Sequence, residues 1–131
     1  MQSLETICRD YIASYETGQQ DKIAAFLHPA HMYYPPGGSS PMTKEERIAD
    51  EHFFFSAFTD IKAAVADIVI QNDKAAVRII MTCTHTGDFH GVAATGRRIT
   101  IPYLELMTFE EGLIKDEWAE FDMSAIIAQL Q

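Results

Sequence analysis

Lys74-Ala-Ala-Val-Arg-Ile-Ile-Met-Thr-Cys-Thr-His-Thr-Gly-Asp-Phe89 alternates between apolar and polar side chains, and this stretch decides the fold. A period of two marks a half-buried strand, because successive side chains leave opposite faces of the pleat. The odd positions are Val77, Ile79, Met81, Cys83, His85, Gly87 and Phe89. The even positions include Arg78, Thr82, Thr84, Thr86 and Asp88. One face is therefore apolar, with His85 on it. Upstream, Ile61 to Gln71 has the same period, and Asn72-Asp73 supplies a tight turn between the two strands. Downstream, residues 90–96 form a loop of small residues and Arg97 to Phe109 a third long strand. Glu111-Gly112 turns the chain into a fourth, Leu113 to Phe121, and residues 123–130 predict a short closing helix.

Before the strands the period changes. Leu4, Ile7, Cys8, Tyr11, Ile12 and Tyr15 fall on one face of a helix over residues 3–17, with Ser3 as its cap and Gly18 as its stop. Asp21 caps a shorter helix carrying Ile23, Ala24, Phe26 and Leu27, which Pro29 ends. His31 to Tyr34 reads as a short strand containing Tyr33. Pro35-Pro36-Gly37-Gly38-Ser39-Ser40-Pro41 reads as a loop. Thr43 begins a third helix with Glu45 and Glu46 in its first turn. Its C-terminal half carries Phe53, Phe54, Phe55 and Phe58, too many rings for one helix face, so some line a cavity or an interface. Helices first and an antiparallel meander after give an α+β domain over residues 1–131, a curved sheet wrapped around about three N-terminal helices as a cone with one open end. Such a shape readily holds a small molecule.

Composition narrows the function. The 131 residues suffice for one domain with its own core. A formal charge of −9, with only Arg97-Arg98 adjacent, argues against a nucleic-acid surface. No apolar run approaches the roughly 18 residues of a membrane span, and the N-terminus lacks a basic leader pattern. A cytoplasmic protein is expected, with Cys8 and Cys83 as free buried thiols. His28-x-x-His31 has no evident third ligand, so no metal is expected.

Lone ionisable groups on apolar faces are the candidates for chemistry. Burial pushes them toward their neutral forms, where they become useful acids or bases near neutral pH. His85 is one such group. Glu105 is another, the single charge among Ile99, Ile101, Tyr103, Met107 and Phe109. In the last strand the assignment depends on the turn. A two-residue turn at Glu111-Gly112 pairs Phe109 with Ile114 and puts Trp118 and Glu120 on the face of Tyr103 and Glu105. A bulged three-residue turn reverses that. Each group also has a purely structural reading. His85 can be a hydrogen-bonded core histidine, and Glu105 can pair with Arg97 or Arg98 or sit at a dimer interface. Glu120 can face solvent, and Asp122 can cap the last helix.

Thr84-His85-Thr86-Gly87-Asp88-Phe89, Thr95-Gly96-Arg97-Arg98, Phe109-Glu110-Glu111-Gly112-Leu113-Ile114 and Glu117-Trp118-Ala119-Glu120-Phe121-Asp122 together resemble the SnoaL-like polyketide cyclase family, within the nuclear transport factor 2-like superfamily. The resemblance is clearest over residues 82–131. It implies a curved sheet over three helices, often a homodimer through the sheet's outer face, and a pocket without metal or organic cofactor. It also implies that Asp122, near the end of the last strand, is the acid/base of an intramolecular aldol closure. Cyclases of this kind use a histidine on the preceding strand, where this chain offers Glu105 or Met107. His85 in Thr84-His85-Thr86-Gly87 is typical of the broader family.

The expectation is therefore a cofactor-independent lyase or isomerase for a small hydrophobic carbonyl compound. Asp122 would take a proton and His85 would steady the enolate. Trp118, Tyr103, Glu105, Tyr15, Tyr33, Phe54 and Phe58 would hold the substrate. The alternatives are a non-catalytic binding module, whose pocket would be wholly apolar, and a dimeric scaffold.

Overall fold

The computed structural model describes residues 2–131. Four helices, α1 (Leu4–Ser14), α2 (Gln20–Ala24), α3 (Lys44–Ala57) and α4 (Met123–Gln129), pack against six strands. The strands are β1 (Leu27–Tyr34), β2 (Met42–Thr43), β3 (Phe58–Gln71), β4 (Lys74–His85), β5 (Arg98–Glu110) and β6 (Leu113–Glu120). They form one curved, unclosed sheet in the order β2-β1-β6-β5-β4-β3. All neighbours are antiparallel except β1 and β6, which makes the sheet mixed.

Local chemistry explains the ends. The Ser3 hydroxyl accepts from the Thr6 N–H at 3.2 Å and starts α1. Thr43 and Glu46 bond each other's backbone N–H at 3.0 and 3.3 Å, a reciprocal cap that starts α3. The hairpin between β5 and β6 turns on Glu111 and Gly112, both at positive φ (55° and 76°), the twist a two-residue turn requires.

Several element ends differ from the sequence expectation; β3 already begins at Phe58, which was expected on the third helix. The second helix stops at Ala24, and β1 starts at Leu27, four residues early. The Phe26 carbonyl is taken by the Ile114 N–H of β6 at 2.9 Å, so the chain is already laid along the sheet there. Pro29 falls in the irregular stretch between the pairs Leu27–Ile114 and Met32–Asp116, where its missing N–H leaves no gap in the ladder. At the other end, β4 stops at His85 and not at Phe89. The Thr86 and Gly87 N–H groups turn to the Ala57 carbonyl at 2.9 and 3.0 Å. Gly87 is required there, since any Cβ would collide with the Ser56 carbonyl oxygen.

The concave side of the sheet is the core face. Val77, Ile79, Met81 and Cys83 of β4 are buried with Tyr11 and Ile12 of α1 and Ile23 of α2. Each such Ile contributes about 1.5–3 kcal/mol by leaving water. Both cysteines are buried free thiols; burial pushes Cys8 up to about 12 and Cys83 to about 11.

One irregularity in β6 decides what the cone contains. Phe109 pairs with Ile114, as a two-residue turn demands, but Thr108 pairs with Asp116. Lys115 is thus one extra residue, a bulge, and it reverses the parity of everything after it. Glu117 and Ala119 point inward and are buried; Trp118 and Glu120 point outward. This corrects the expectation that Trp118 and Glu120 share the face of Tyr103 and Glu105. Trp118 stacks on Tyr34 on the convex side, ring centroids 4.6 Å apart. There it joins exposed Leu104 and Leu106.

Candidate active site

Inside the cone lies a cavity of about 570 Å³, within the range of about 300–1,000 Å³ usual for small-molecule sites. The sheet supplies Met81, Ile101, Tyr103, Glu105 and Ala119. Helix α3 supplies Arg47, Asp50, Glu51, Phe53 and Phe54, and β1 supplies Tyr33. Phe89 and His90 of the loop after β4, with Phe121 and Met123 at the start of α4, complete the apolar wall. The segment Pro35–Met42 closes one side through Pro35, Pro36, Ser39 and Met42.

Beneath this wall is a buried polar cluster centred on the ion pair of Arg47 and Glu117, both essentially out of solvent. The Arg47 guanidinium donates to both Glu117 oxygens, to the Tyr11 hydroxyl at 2.8 Å and to the Tyr15 hydroxyl at 2.9 Å. It also donates to His31 Nε2 at 3.0 Å. His31 can accept there because its Nδ1–H is directed to the Ile114 carbonyl at 3.0 Å. Burial, with Arg47 adjacent, lowers the His31 pKa despite the neighbouring carboxylates. Tyr33 lies over the guanidinium, 4.3 Å from ring centroid to the guanidinium carbon. The Tyr11 hydroxyl donates to Glu117 at 3.0 Å and contacts the Tyr15 hydroxyl at 3.3 Å; Tyr15 donates to Glu51.

Two glutamates on adjacent strands are driven in opposite directions by this arrangement. Burial alone would raise Glu117, but the Arg47 charge, hydrogen bonds from Glu105 and Arg47, and His31 outweigh it and hold Glu117 at about 2. Glu105 has no cation of its own. Burial, then the Glu117 charge, then the hydrogen bond it gives Glu117 push its carboxyl well above the usual carboxylate range. At neutral pH the cavity therefore contains a carboxylic acid backed by a carboxylate, two groups sharing one proton. Glu51, at the cavity side of α3, is also raised, chiefly by burial, with Arg47 and the Tyr15 hydrogen bond opposing. Tyr11, Tyr15 and Tyr103 are raised by burial and stay protonated.

Of the residues singled out in the sequence, Tyr15, Tyr33, Phe54, Tyr103 and Glu105 come together around the cavity. Phe58 is fully buried in the core beside His85 and Phe89 and does not line it. Trp118 lies on the opposite face, as described. His85 is fully buried, and its ring is used to hold the following loop. Nδ1 accepts the Thr95 N–H at 3.2 Å and lies 2.9 Å from the Thr95 hydroxyl. The ring proton is then on Nε2, which has no partner among the described residues. Asp122 is exposed and caps α4, accepting from the Ser124 hydroxyl at 2.7 Å and the Ala125 N–H at 3.2 Å. These bonds lower its pKa, which weakens it as a base. His85 and Asp122 thus do not meet at one point.

Arg47, Glu51 and Glu117 were not singled out from the sequence. The first two had a signal: residues 47, 51 and 54 share one helical stripe, so two charges lie in line with a phenylalanine. Glu117 had none, because the bulge hides its phase. Among the described residues no group of three His, Cys, Asp or Glu is arranged to hold a metal ion. No described helix is long and apolar enough to cross a membrane.

Comparison with known proteins fits this architecture. The family model described as SnoaL-like polyketide cyclase matches residues 5–130. A curated relative, aklanonic acid methyl ester cyclase AcmA of Streptomyces galilaeus, is 23% identical over 117 residues, covering 86% of this chain and 81% of its own. Among solved structures, AclR of Streptomyces galilaeus superposes with a TM-score of 0.89 at 24% identity, over 97% of this chain and 80% of that one. IdmH of Streptomyces antibioticus gives 0.86 at 25% identity, over 98% and 99% of the two chains.

Proposed function

Because the chain belongs to the SnoaL-like polyketide cyclase family, we propose that it is an acid/base enzyme that closes or isomerises a small hydrophobic carbonyl compound, with Glu105 as its proton donor. The observation that carries this is the buried Glu105 carboxyl in the cavity wall, without a cation of its own and beside the Arg47–Glu117 ion pair, an arrangement that favours its neutral form. A carboxylic acid that survives at neutral pH in an apolar site can hydrogen-bond a carbonyl oxygen and yield its proton as negative charge develops there. Tyr103 and Tyr33 on the wall, with Phe54 and Phe89, suit a flat, largely apolar substrate. A purely binding module would need no carboxylic acid in its wall, and burying one is unfavourable.

This reading moves the site's chemistry away from Asp122, expected to take the proton, and His85, expected to steady the enolate, and gives Glu105 the stabilisation of the developing oxyanion. Asp122 is engaged in capping α4 and His85 in holding the Thr95 loop. The test uses aklanonic acid methyl ester, the compound in the relative's name, as the probe substrate. Glu105→Gln keeps the shape and removes the acid; it is expected to lower turnover about 10²- to 10⁴-fold. Asp122→Ser, which still caps a helix, is expected to leave turnover close to that of the parent. Unchanged turnover in Glu105→Gln, or loss confined to Asp122→Ser, overturns the assignment.

We also propose a homodimer through the convex face, where Leu104, Leu106 and Trp118 are 54, 43 and 37% exposed. Leu106→Glu is expected to convert a dimer to a monomer in analytical ultracentrifugation. A parent protein that already sediments as a monomer removes this proposal.

A further inference from the structure

Three carboxyl groups, Asp50, Glu51 and Glu105, line the cavity, and one continuous run of side chains joins the last two beneath its wall. Glu105 and Glu117 are buried, inward-facing diagonal neighbours on β5 and β6 and share one proton. Glu117 accepts from the Tyr11 hydroxyl at 3.0 Å. Tyr11 and Tyr15 hydroxyls are 3.3 Å apart. Tyr15 donates to Glu51, which lines the cavity with its side chain 16% exposed. No water is needed to complete the run, and Tyr11 in its middle is wholly buried.

We propose that Glu51 is the second proton-transferring group of the site, and that Tyr15, Tyr11 and Glu117 form an internal relay returning its proton to Glu105. The proposal rests on the acid/base reading above and adds a base and a reset step to it. Cyclisation or isomerisation of a carbonyl compound moves a proton from carbon to oxygen. Glu51, its carboxylate favoured by Arg47 at 3.6 Å and by the Tyr15 hydroxyl against the effect of burial, takes the proton from carbon; Glu105, as acid, gives one to oxygen. The site is then left with a protonated Glu51 and an ionised Glu105, the reverse of its starting state. To reset, Glu51 passes its proton to Tyr15 Oη, Tyr15 passes its own to Tyr11 Oη, and Tyr11 passes its own to Glu117, which hands one to Glu105. Each hydroxyl loses one O–H and gains one, so the charge moves without any group ending changed.

Geometry favours this route over a detour through solvent. The base is on α3 and the acid on β5, both line the same cavity, and the run between them passes through buried side chains. Arg47 donates to both tyrosine hydroxyls and to Glu117, so a single cation holds every oxygen of the middle section in place. That also gives Arg47 a positioning role distinct from its ion pair.

The test reads the relay without a substrate. The Tyr11 hydroxyl can exchange with solvent deuterium from either end of the run, through Tyr15 and Glu51 or through Glu117 and Glu105. Exchange is followed by the deuterium isotope shift on the Tyr11 Cζ carbon in protein labelled at that atom. Tyr15→Phe and Glu105→Gln close one end each, and the double variant is expected to slow Tyr11 exchange at least about tenfold at matched stability. Glu51→Gln breaks the same link as Tyr15→Phe and replaces it if that variant does not fold. Exchange in the double variant as fast as in the parent overturns the relay, whatever the enzyme's activity. With aklanonic acid methyl ester as probe, Tyr15→Phe is expected to lower steady-state turnover with KM little changed and to enlarge the solvent isotope effect. If the parent protein does not turn this compound over, it is the acid/base reading that loses support, and the exchange rates still decide the relay.

Discussion

His85 and Glu105 look alike from the outside: each is the lone ionisable group on the apolar face of its strand, and the two strands are neighbours. The protein treats them differently. His85 is held through Nδ1 alone by Thr95, ten residues away, and serves the loop that follows it. Glu105 is satisfied by Glu117, which is itself held by Arg47 from seventy residues away. A polar group answered by local backbone is finished structurally. One answered by another titratable group keeps a proton to exchange. The difference between a core residue and a chemical one thus lies in the partner, not in the residue or its burial.

The largest way to break the contrast is at the ion pair. Glu117→Ala leaves buried Arg47 with only the longer contact to Glu51, 3.6 Å away, as counter-charge and is expected to cost about 3–5 kcal/mol in urea denaturation. Replacing both, Arg47→Met with Glu117→Leu, is expected to recover much of that, since a well-packed apolar pair avoids the desolvation penalty. The loop end should respond less. His85→Ala leaves the Thr95 N–H unpaired, at about 1–3 kcal/mol, and hydrogen exchange at Thr95 should quicken while the cavity's proton chemistry stays as before.

A pH series sharpens the comparison further. Glu105 binds its proton more tightly folded than unfolded. Above its ordinary value of 4.5 the unfolded chain releases that proton while the folded one keeps it. Stability from this group is full below pH 4.5 and falls as pH rises toward the raised folded value. Glu105→Gln should remove that slope, gaining on the parent by up to about 1.4 kcal/mol per pH unit across the window. Glu117 runs oppositely: its contribution is present above 4.5 and is lost as pH falls toward about 2. The smallest effect is at the exposed cap. Asp122→Ala should cost about 1 kcal/mol through α4 alone, read by thermal melting.

The fold was legible because its signals are local. The alternation along Lys74 to His85, the Asn72-Asp73 and Glu111-Gly112 turns, and the Thr43–Glu46 cap each act within a few residues. The strand β1 was half legible, since its partner is a parallel strand about ninety residues on and Pro29 masks its start. In the site, parity found Glu105 and Tyr103, and the helix stripe found Tyr15 and Phe54. Glu117 and Trp118 exchanged places because a bulge three residues beyond a correctly read turn leaves no trace in composition. Asp122 was singled out through likeness to relatives, and nothing in its own flanks distinguishes a cap from a base.

That extra residue also sets how this hairpin can change in length. Phe109 faces Ile114 and Met107 faces Glu117, so the partner strand has one position, Thr108, where β6 has two, Lys115 and Asp116. Loss of either would straighten the ladder and leave Glu117 and Ala119 facing inward. Loss or gain of one residue after Glu117 would exchange the inner and outer sets of the remaining strand. Homologous hairpins should therefore carry their gaps at Lys115-Asp116 and almost nowhere else, a tolerance for indels confined to one notch of an otherwise rigid template.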